Sequence, residues 1–355
     1  MQGIELSRGF YFDLVQPWLN EVAPGLRHAA ALIGYGSELL GFDDEMSRDH
    51  NWGPRVRIYL ARDDFGAYAR RLVDQFTNVM PSHYRGEPIG WRSRPHPPAN
   101  GLESAGALAH GLEFHTLEAL LESHLGLRSA EHLEAPQWLG FAEQKLLALT
   151  AGAVFRDDDG RLTEARARLA YYPRDVWLYK LACQWRRIAD EQAFVGRAGQ
   201  VGDDLGSRVI GARLVRDVMR MGFLLERRYA PYSKWLGTGF ARLPIAHRLL
   251  PHLTQALIAD DCRRRENALA SAYRELAHSQ NALGVASFEP VIGPYHDRPF
   301  TVINADDAIN AARSAIADPA IAQLPIIGAL DQLSDLTPLL EDARLSQAMM
   351  HQLHT

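Results

Sequence analysis

Two polar residues at the start of an apolar segment have the spacing of a metal site. Asp49 and Asn51 lie two positions apart, shortly before the run that ends at Leu60. In a strand, side chains at positions i and i+2 project from the same face. Two carboxylates placed in this way can hold Mg²⁺ together with the phosphates of a substrate. The second position is an amide in this chain, which offers an oxygen ligand without a negative charge.

Further candidates for phosphate and metal chemistry lie on either side of this pair. Gly36 ends the apolar run HAAALIGYG, which indicates a buried strand that enters a tight turn, and Ser37 follows it. Serine is a preferred helix N-cap, and the exposed N–H groups of a helix start can bind phosphate. Glu113, between Leu112 and Phe114 in a short predicted strand, would direct another carboxylate from a neighbouring position.

The surrounding pattern predicts the elements that must position these residues. The segment PRVRIYLA alternates apolar and polar residues, as a half-buried strand does, and an acidic start introduces a predicted helix over 63–80. From about residue 136 nearly every segment has helical spacing. We therefore predict an α/β N-terminal domain with a small mixed sheet over 1–130. A larger, all-α helical domain would follow over 131–355, with the site in the cleft between the domains.

The composition limits the classes of partner. The chain has 355 residues and a net charge of −5, which does not favour nucleic acid as a partner. Its two cysteines form no metal or disulfide pattern, which is typical of a cytoplasmic protein. We expect no membrane partner, because no apolar run has transmembrane length. Lysine is rare: only three of the 38 basic residues are lysines, Lys145, Lys180 and Lys234.

A family resemblance becomes specific at the acidic turn. The sequence Gly36-Ser37, eleven residues, then Asp49-x-Asn51 resembles the motif of the DNA polymerase β-like nucleotidyltransferase superfamily. The longer string GSELLGFDDEMSRDHNWGPR resembles one bacterial branch of that superfamily, a domain of unknown function. The later strings YYPRDVWLYKLACQWRRI, FVGRAGQVGDDLGSR and RRYAPYSKWLGT are similar to the same branch. The layout is similar to that of aminoglycoside nucleotidyltransferases, which pair such a core with a helical domain.

The resemblance implies a nucleotidyltransferase-like fold and a Mg²⁺-dependent enzyme. Such an enzyme would move a nucleoside monophosphate from an NTP, ATP first, to a hydroxyl of a small-molecule acceptor. The resemblance implies catalysis and metal binding at Asp49, Asn51 and Glu113, and nucleotide binding at Gly36, Ser37, Tyr232 and Lys234. Glu113 would be a metal ligand or the general base for the acceptor hydroxyl.

Asn51 departs from the family pattern, which asks for a second carboxylate at that position. Three explanations remain: a variant inactivated to trap substrate, a natural pseudoenzyme that binds nucleotide without turnover, or a site whose missing charge comes from Asp43, Asp44 or Glu45. The pseudoenzyme is an alternative function in its own right. A transferase that modifies tRNA or protein is a second alternative, because the loop at 85–94 is rich in arginine.

Overall fold

The computed structural model describes residues 2–44, 52–91 and 109–354. The chain divides into two compact units. The first comprises Met1–His132 and Lys145–Ala170, and the second comprises Leu133–Gln144 and Tyr171–Thr355. Within the described ranges, no helix is both long enough and apolar enough to cross a membrane.

The elements alternate between strand and helix in the first part of the chain and are mostly helical afterwards. The strands are β1 Ala29–Leu32, β2 Val56–Tyr59, β3 His83–Tyr84, β4 Glu87–Pro88, β5 Gly90–Trp91, β6 Ala109–His110, β7 Leu112–His115, β8 Ala153–Asp157, β9 Ile292–Tyr295 and β10 Arg298–Ile303. The helices are α1 Gly3–Phe10, α2 Gln16–Val22, α3 Arg62–Val79, α4 Leu117–Leu125, α5 Glu143–Thr150, α6 Arg161–Arg168, α7 Arg174–Glu191, α8 Phe194–Gln200, α9 Asp204–Leu225, α10 Ser233–Ala241, α11 Ala246–Ile258, α12 Cys262–Ala282, α13 Ala305–Ser314, α14 Pro319–Ala322, α15 Leu330–Leu333, α16 Thr337–Glu341 and α17 Ala343–His354. A π-helical turn spans Tyr11–Val15, and 3₁₀ turns span Ser37–Leu40 and Ala135–Gly140.

A four-stranded mixed sheet in the order β7-β2-β1-β8 forms the centre of the first unit. β1 is antiparallel to both of its neighbours, whereas β2 and β7 are parallel. The predicted alternation of β2 is confirmed, since Val56 and Ile58 are buried in the core while Arg57 is half-buried on the opposite face. The register places Arg57 beside Glu113 of β7.

Helices α1 and α3 bury their apolar faces in the same core as β2 and β7. Phe10 of α1 meets Phe76 of α3 edge to face, with ring centroids 6.1 Å apart. Burial of each such side chain stabilises the fold by about 1.5–3 kcal/mol. Because the core occupies one face of the sheet, the polar side chains of β2 and β7 are left on the other face.

The first unit includes a strand that the sequence analysis did not predict. β8 pairs with β1 across a bulge and brings Lys145–Ala170 into the sheet-containing unit. The strand was missed because its five residues, AVFRD, show no alternation. Only two residues separate it from the end of α5 at Thr150. The domain boundary near residue 130 stays a prediction.

The second unit is built around α7, which contacts α9 and α13. The two tryptophans of α7 are fully buried, and each indole N–H has a partner: Trp177 donates to the carbonyl of Leu224 at 2.8 Å, and Trp185 donates to Gln280 Oε1 at 2.7 Å. The prediction of an all-α region over 131–355 was wrong in two places in the described part of the chain: β8 pairs with β1, and β9 and β10 form an antiparallel hairpin. Pro299 lies near the start of β10, where proline is tolerated, and β-branched residues complete the strand.

Candidate functional site

The turn after β1 is the part of the predicted phosphate site that the structure describes. Gly34 and Gly36 have φ values of 106° and 144°, which favour glycine. Ser37 begins a 3₁₀ turn of only four residues, and Gly36 is the N-cap, with no side-chain capping bond. The predicted helix with a serine cap is therefore wrong, because Gly41 in the left-handed region ends the turn after Leu40.

Three cationic side chains donate to two residues of this turn, Ile33 and Tyr35. Arg57 Nη1 donates to the carbonyl of Ile33 at 3.1 Å. Arg55 Nη2 donates to the carbonyl of Tyr35 at 2.6 Å, and Lys145 Nζ donates to the Tyr35 hydroxyl at 2.5 Å. Arginine and lysine side chains bind phosphate oxygens through charge-assisted hydrogen bonds. We call the segment 33–37 the cationic turn, although Arg55 and Arg57 are also paired with the carboxylates of Glu38 and Glu113.

The glycines of this turn make room for the arginines. A Cβ on Gly34 would come closer than 3.0 Å to the Arg57 guanidinium. A Cβ on Gly36 would meet Arg55 Nη2 and Glu38 Oε2 in the same way. Arg55 and Glu38 form a buried ion pair, and burial lowers the pKa of Arg55 while the charge of Glu38 opposes that shift. Both glycines thus have a packing role in addition to any contact with a ligand.

Glu113, the predicted third acid, lies on the polar face of the sheet. Its Oε2 accepts from Arg57 Nε at 3.0 Å and lies 3.2 Å from His115 Nε2. Burial alone would lower the pKa of Arg57, but Glu113 and Tyr59 outweigh burial and raise it. Burial also raises the pKa of Tyr59 to about 12, so its phenol stays neutral. Glu113 is therefore a half-buried carboxylate on the edge strand, in contact with both Arg57 and His115.

The sequence analysis did not assign Lys145 to this site. Lys145 is buried, and its ammonium lies 5.3 Å from the centroid of the Tyr35 ring. The opposing ring is His124, stacked on Tyr35 with centroids 5.8 Å apart. Burial, and next the charge of Lys145, lower the pKa of His124 to about 3, so the imidazole is neutral. The rarity of lysine was the one sequence signal that could have identified Lys145.

The predicted metal pair, Asp49 and Asn51, lies outside the described residues, as does Glu45. Of the acids proposed to replace the missing charge, Asp43 already accepts two hydrogen bonds. Its Oδ2 accepts from the Gly3 amide at 2.9 Å and from Trp52 Nε1 at 3.3 Å. Within the described ranges, no group of three His, Cys, Asp or Glu side chains could hold a metal ion.

Two predicted nucleotide ligands lie in the second unit. Lys234 is in the first turn of α10, and its ammonium lies 4.9 Å from the centroid of the Trp235 ring. Tyr232 is the N-cap residue of α10 and is exposed. Their role in nucleotide binding stays a prediction.

The second unit also contains a buried charge cluster that was not predicted. Lys180 Nζ lies 3.1 Å from Glu143 Oε1, and Glu143 Oε2 accepts from the Ala230 amide at 3.0 Å. Burial alone would raise the pKa of Glu143, but Lys180 and Arg220 outweigh burial and lower it. Asp331 Oδ2 accepts from the Glu143 amide at 2.8 Å, and burial raises the pKa of Asp331 to about 6.

Comparison with known proteins adds two similarities. Residues 138–236 match the family model of a domain of unknown function, DUF4037. The chain is similar to the crystal structure of a nucleotidyltransferase-like protein from Exiguobacterium sibiricum 255-15, with 10% identity over 83% of each chain and a TM-score of 0.31. A similarity this low carries no argument about fold or activity. The chain matches no curated protein.

Proposed function

We propose that this chain is a nucleotidyltransferase, catalytically impaired at Asn51, whose reaction moves a nucleoside monophosphate, AMP from ATP first, to a hydroxyl of a small molecule. The observation that supports the proposal most is the cationic turn, where Arg55, Arg57 and Lys145 donate to Ile33 and Tyr35. Phosphate oxygens accept charge-assisted hydrogen bonds from such side chains, and a triphosphate here would share the two arginines with the carboxylates of Glu38 and Glu113. Gly36 and Ser37 would contact its oxygens.

The catalytic part of the proposal rests on the sequence motif and on the position of Glu113. Glu113 lies on the strand next to Arg57, so its carboxylate is close to the cationic turn. Of the three predicted Mg²⁺ ligands, only Glu113 lies in the described residues. Its carboxylate already contacts Arg57 and His115. Asp49 and Asn51 would complete the metal site, and bound Mg²⁺ would neutralise charge on the phosphates.

Two alternatives follow from specific observations. Asn51 removes a charge from the predicted metal pair, which favours a protein that binds nucleotide without turning it over. The arginine-rich segment 85–94 favours a transferase whose acceptor is tRNA or protein. Tyr232 and Lys234 remain proposed nucleotide ligands in each case.

The experiment is a calorimetric titration of ATP with Mg²⁺ into this chain and into Asn51→Asp. Turnover of α-labelled ATP would be followed with a metabolite extract as the source of acceptor. We expect both chains to bind ATP and only Asn51→Asp to transfer label, because the second carboxylate restores metal affinity. Asn20→Asp, at an exposed position of α2, is the matched control and should not transfer label.

Each other outcome has a defined meaning. Binding without transfer by either chain supports the non-catalytic alternative, and transfer of label to bulk tRNA or protein supports the other transferase. Absence of binding for ATP and for every other NTP would contradict both the proposed activity and the non-catalytic alternative.

A further inference from the structure

The second unit has a cavity lined by residues of α8, α9 and β10 that the proposed function does not use. Its volume is about 640 Å³, a usual size for a small-molecule site. Such sites are mostly apolar, with a few polar groups that fix the orientation of the ligand. We call this concavity the α8–hairpin cavity, because β9 and β10 form the hairpin on one side of it.

Much of the lining of the α8–hairpin cavity is apolar and open to solvent. Phe194 of α8 is 41% exposed, and Val201, just after α8, is 80% exposed. Ile210 of α9 is half-buried, and Phe300 of β10 is buried. An apolar group placed against these side chains would remove apolar surface from water, which favours binding. We therefore expect the occupant to have an apolar body.

The charged side chains of this lining are two arginines, Arg197 and Arg298. Both are exposed, and in the part of the chain that the structure describes neither takes part in an ion pair. The Arg197 guanidinium lies 5.8 Å from the centroid of the Phe194 ring, so it borders the apolar surface. A guanidinium binds carboxylate and phosphate oxygens through paired, charge-assisted hydrogen bonds. The cavity therefore offers positive charge beside an apolar wall.

A third arginine and a buried carboxylate lie behind this lining. Arg263 Nη1 donates to the carbonyl of Pro299, a residue of the cavity wall, at 2.5 Å. Glu266 is buried, and its Oε1 accepts from the Thr301 amide at 3.2 Å. Burial raises the pKa of Glu266, while the Thr301 amide and the charge of Arg263 oppose that shift. Arg263 thus offsets the charge of Glu266, and neither group is part of the lining.

The acids nearest in sequence to the lining arginines do not neutralise them. Asp297 precedes Arg298 in the hairpin turn, but it is exposed and does not line the cavity. Asp203 caps α9 by accepting from the Gly206 amide at 2.8 Å, and Asp204 pairs with Arg208. The excess of positive charge on the cavity wall is therefore left for a ligand.

We propose that the α8–hairpin cavity binds a small organic anion. Its apolar body would lie against Phe194, Val201 and Phe300, and its carboxylate or phosphate would accept hydrogen bonds from Arg197 and Arg298. A carboxylate and a phosphate share this chemistry, because each presents two oxygens to a guanidinium. A neutral molecule of the same shape would lose the contacts with the arginines, so charge is the property that selects the ligand.

The test is a calorimetric titration of the full chain with three probes: naphthoate, naphthyl phosphate and neutral naphthol, all substituted at the same ring position. We expect the two anions to bind at least about tenfold more tightly than naphthol, because only they can accept charge-assisted hydrogen bonds from the arginines. The anion that binds more tightly identifies the head group, carboxylate or phosphate, that the cavity prefers.

Arg197→Gln and Arg298→Gln each remove one positive charge and keep a polar side chain. We expect each to raise the dissociation constant of the preferred anion by about three- to tenfold and to leave that of naphthol unchanged. Arg264→Gln is the matched control: this exposed arginine of α12 pairs with Asp260 and does not line the cavity. It removes the same charge and should leave all three affinities unchanged. Circular dichroism should show that all three variants stay folded.

Lys145→Met separates this cavity from the proposed ATP site, which naphthyl phosphate would also enter if it recognised phosphate alone. Lys145 donates to Tyr35 in the cationic turn and does not line the cavity. We therefore expect Lys145→Met to bind naphthyl phosphate as the parent chain does.

Three results would overturn the proposal. The first is binding of naphthol as tight as that of the anions, or no binding of either anion up to about 1 mM, because the cavity would then not recognise an anion. The second is unchanged binding of the anions by both Arg197→Gln and Arg298→Gln, which would place them elsewhere. The third is an equal loss in Arg264→Gln, which would mean that overall charge and not the cavity attracts the anion.

Discussion

Arg57 and Glu113 lie side by side on the parallel strands β2 and β7, with 3.0 Å between Arg57 Nε and Glu113 Oε2. The pair joins the cationic turn to the acid proposed for catalysis. Arg57 reaches the carbonyl of Ile33 with Nη1 while Nε holds Glu113. The same guanidinium therefore orients both groups.

Glu113→Gln keeps the shape of the side chain and removes its charge. In the Asn51→Asp chain we expect transfer of labelled nucleotide to fall by about 10²–10⁴-fold, the usual contribution of a general base. Glu118→Gln is the control, because Glu118 pairs with Arg161 on the surface. A decrease of less than about tenfold would mean that Glu113 only balances Arg57.

Lys145→Met should weaken the binding of ATP. The ammonium is buried against the turn, and its loss removes one of the three cations there. We expect the dissociation constant measured by calorimetry to rise at least tenfold, or about 1.4 kcal/mol. Tyr35→Phe removes only the hydroxyl that Lys145 contacts and should have a smaller effect. An unchanged affinity in Lys145→Met would remove this lysine from the site.

Gly36→Ala should destabilise the fold more than Gly25→Ala does. Both glycines have positive φ, at 144° and 80°, so alanine is strained at either position. Only at Gly36 would the new Cβ also meet Arg55 and Glu38, whereas a Cβ on Gly25 would meet nothing within 4 Å. In urea unfolding we expect Gly36→Ala to cost about 1–3 kcal/mol more than Gly25→Ala. Equal losses would mean that the buried ion pair shifts freely.

Lys180→Met leaves the buried carboxylate of Glu143 without its nearest cation. We expect the free energy of unfolding to fall by about 3–5 kcal/mol, because an uncompensated buried charge remains. The double variant Glu143→Gln/Lys180→Met should recover much of that loss. Arg186→Met, which breaks an exposed pair with Asp190 on the same helix, should cost less than about 1 kcal/mol. A double variant no more stable than Lys180→Met would contradict this account.

Asp331 should make the second unit less stable as pH rises from about 4 to about 6. Its folded pKa of about 6 lies above its ordinary value of 3.8, so the folded state binds more protons in this window. The shift corresponds to roughly 2–3 kcal/mol. Glu143 acts oppositely, since its lowered pKa gives stability that is lost only below its ordinary value of 4.5. Asp331→Asn should remove the decrease between pH 4 and 6 in urea unfolding, and a decrease that persists in this variant would assign it to another group.

The sequence predicted the elements of the first unit better than it predicted their partners. The alternation of PRVRIYLA identified β2 because burial on one face imposes a period of two. Nothing local could show that Arg57 would meet Glu113, because the pairing of β2 with β7 brings together residues 56 positions apart. Lys145 was missed for the same reason: helical spacing predicted the helix around it but not its contact with Tyr35.

The bond between Asp331 and the Glu143 amide joins groups 188 positions apart, and it has a consequence for synthesis of the chain. On a ribosome, Glu143 and Lys180 emerge long before residue 331. Until residue 331 is made, the amide of Glu143 at the start of α5 lacks the Asp331 carboxylate that accepts its hydrogen bond. The ion pair of Glu143 and Lys180 lacks the same neighbour. Closing so long a loop is slow relative to forming local helices. The nascent second unit therefore lacks this hydrogen bond until residue 331 has been made.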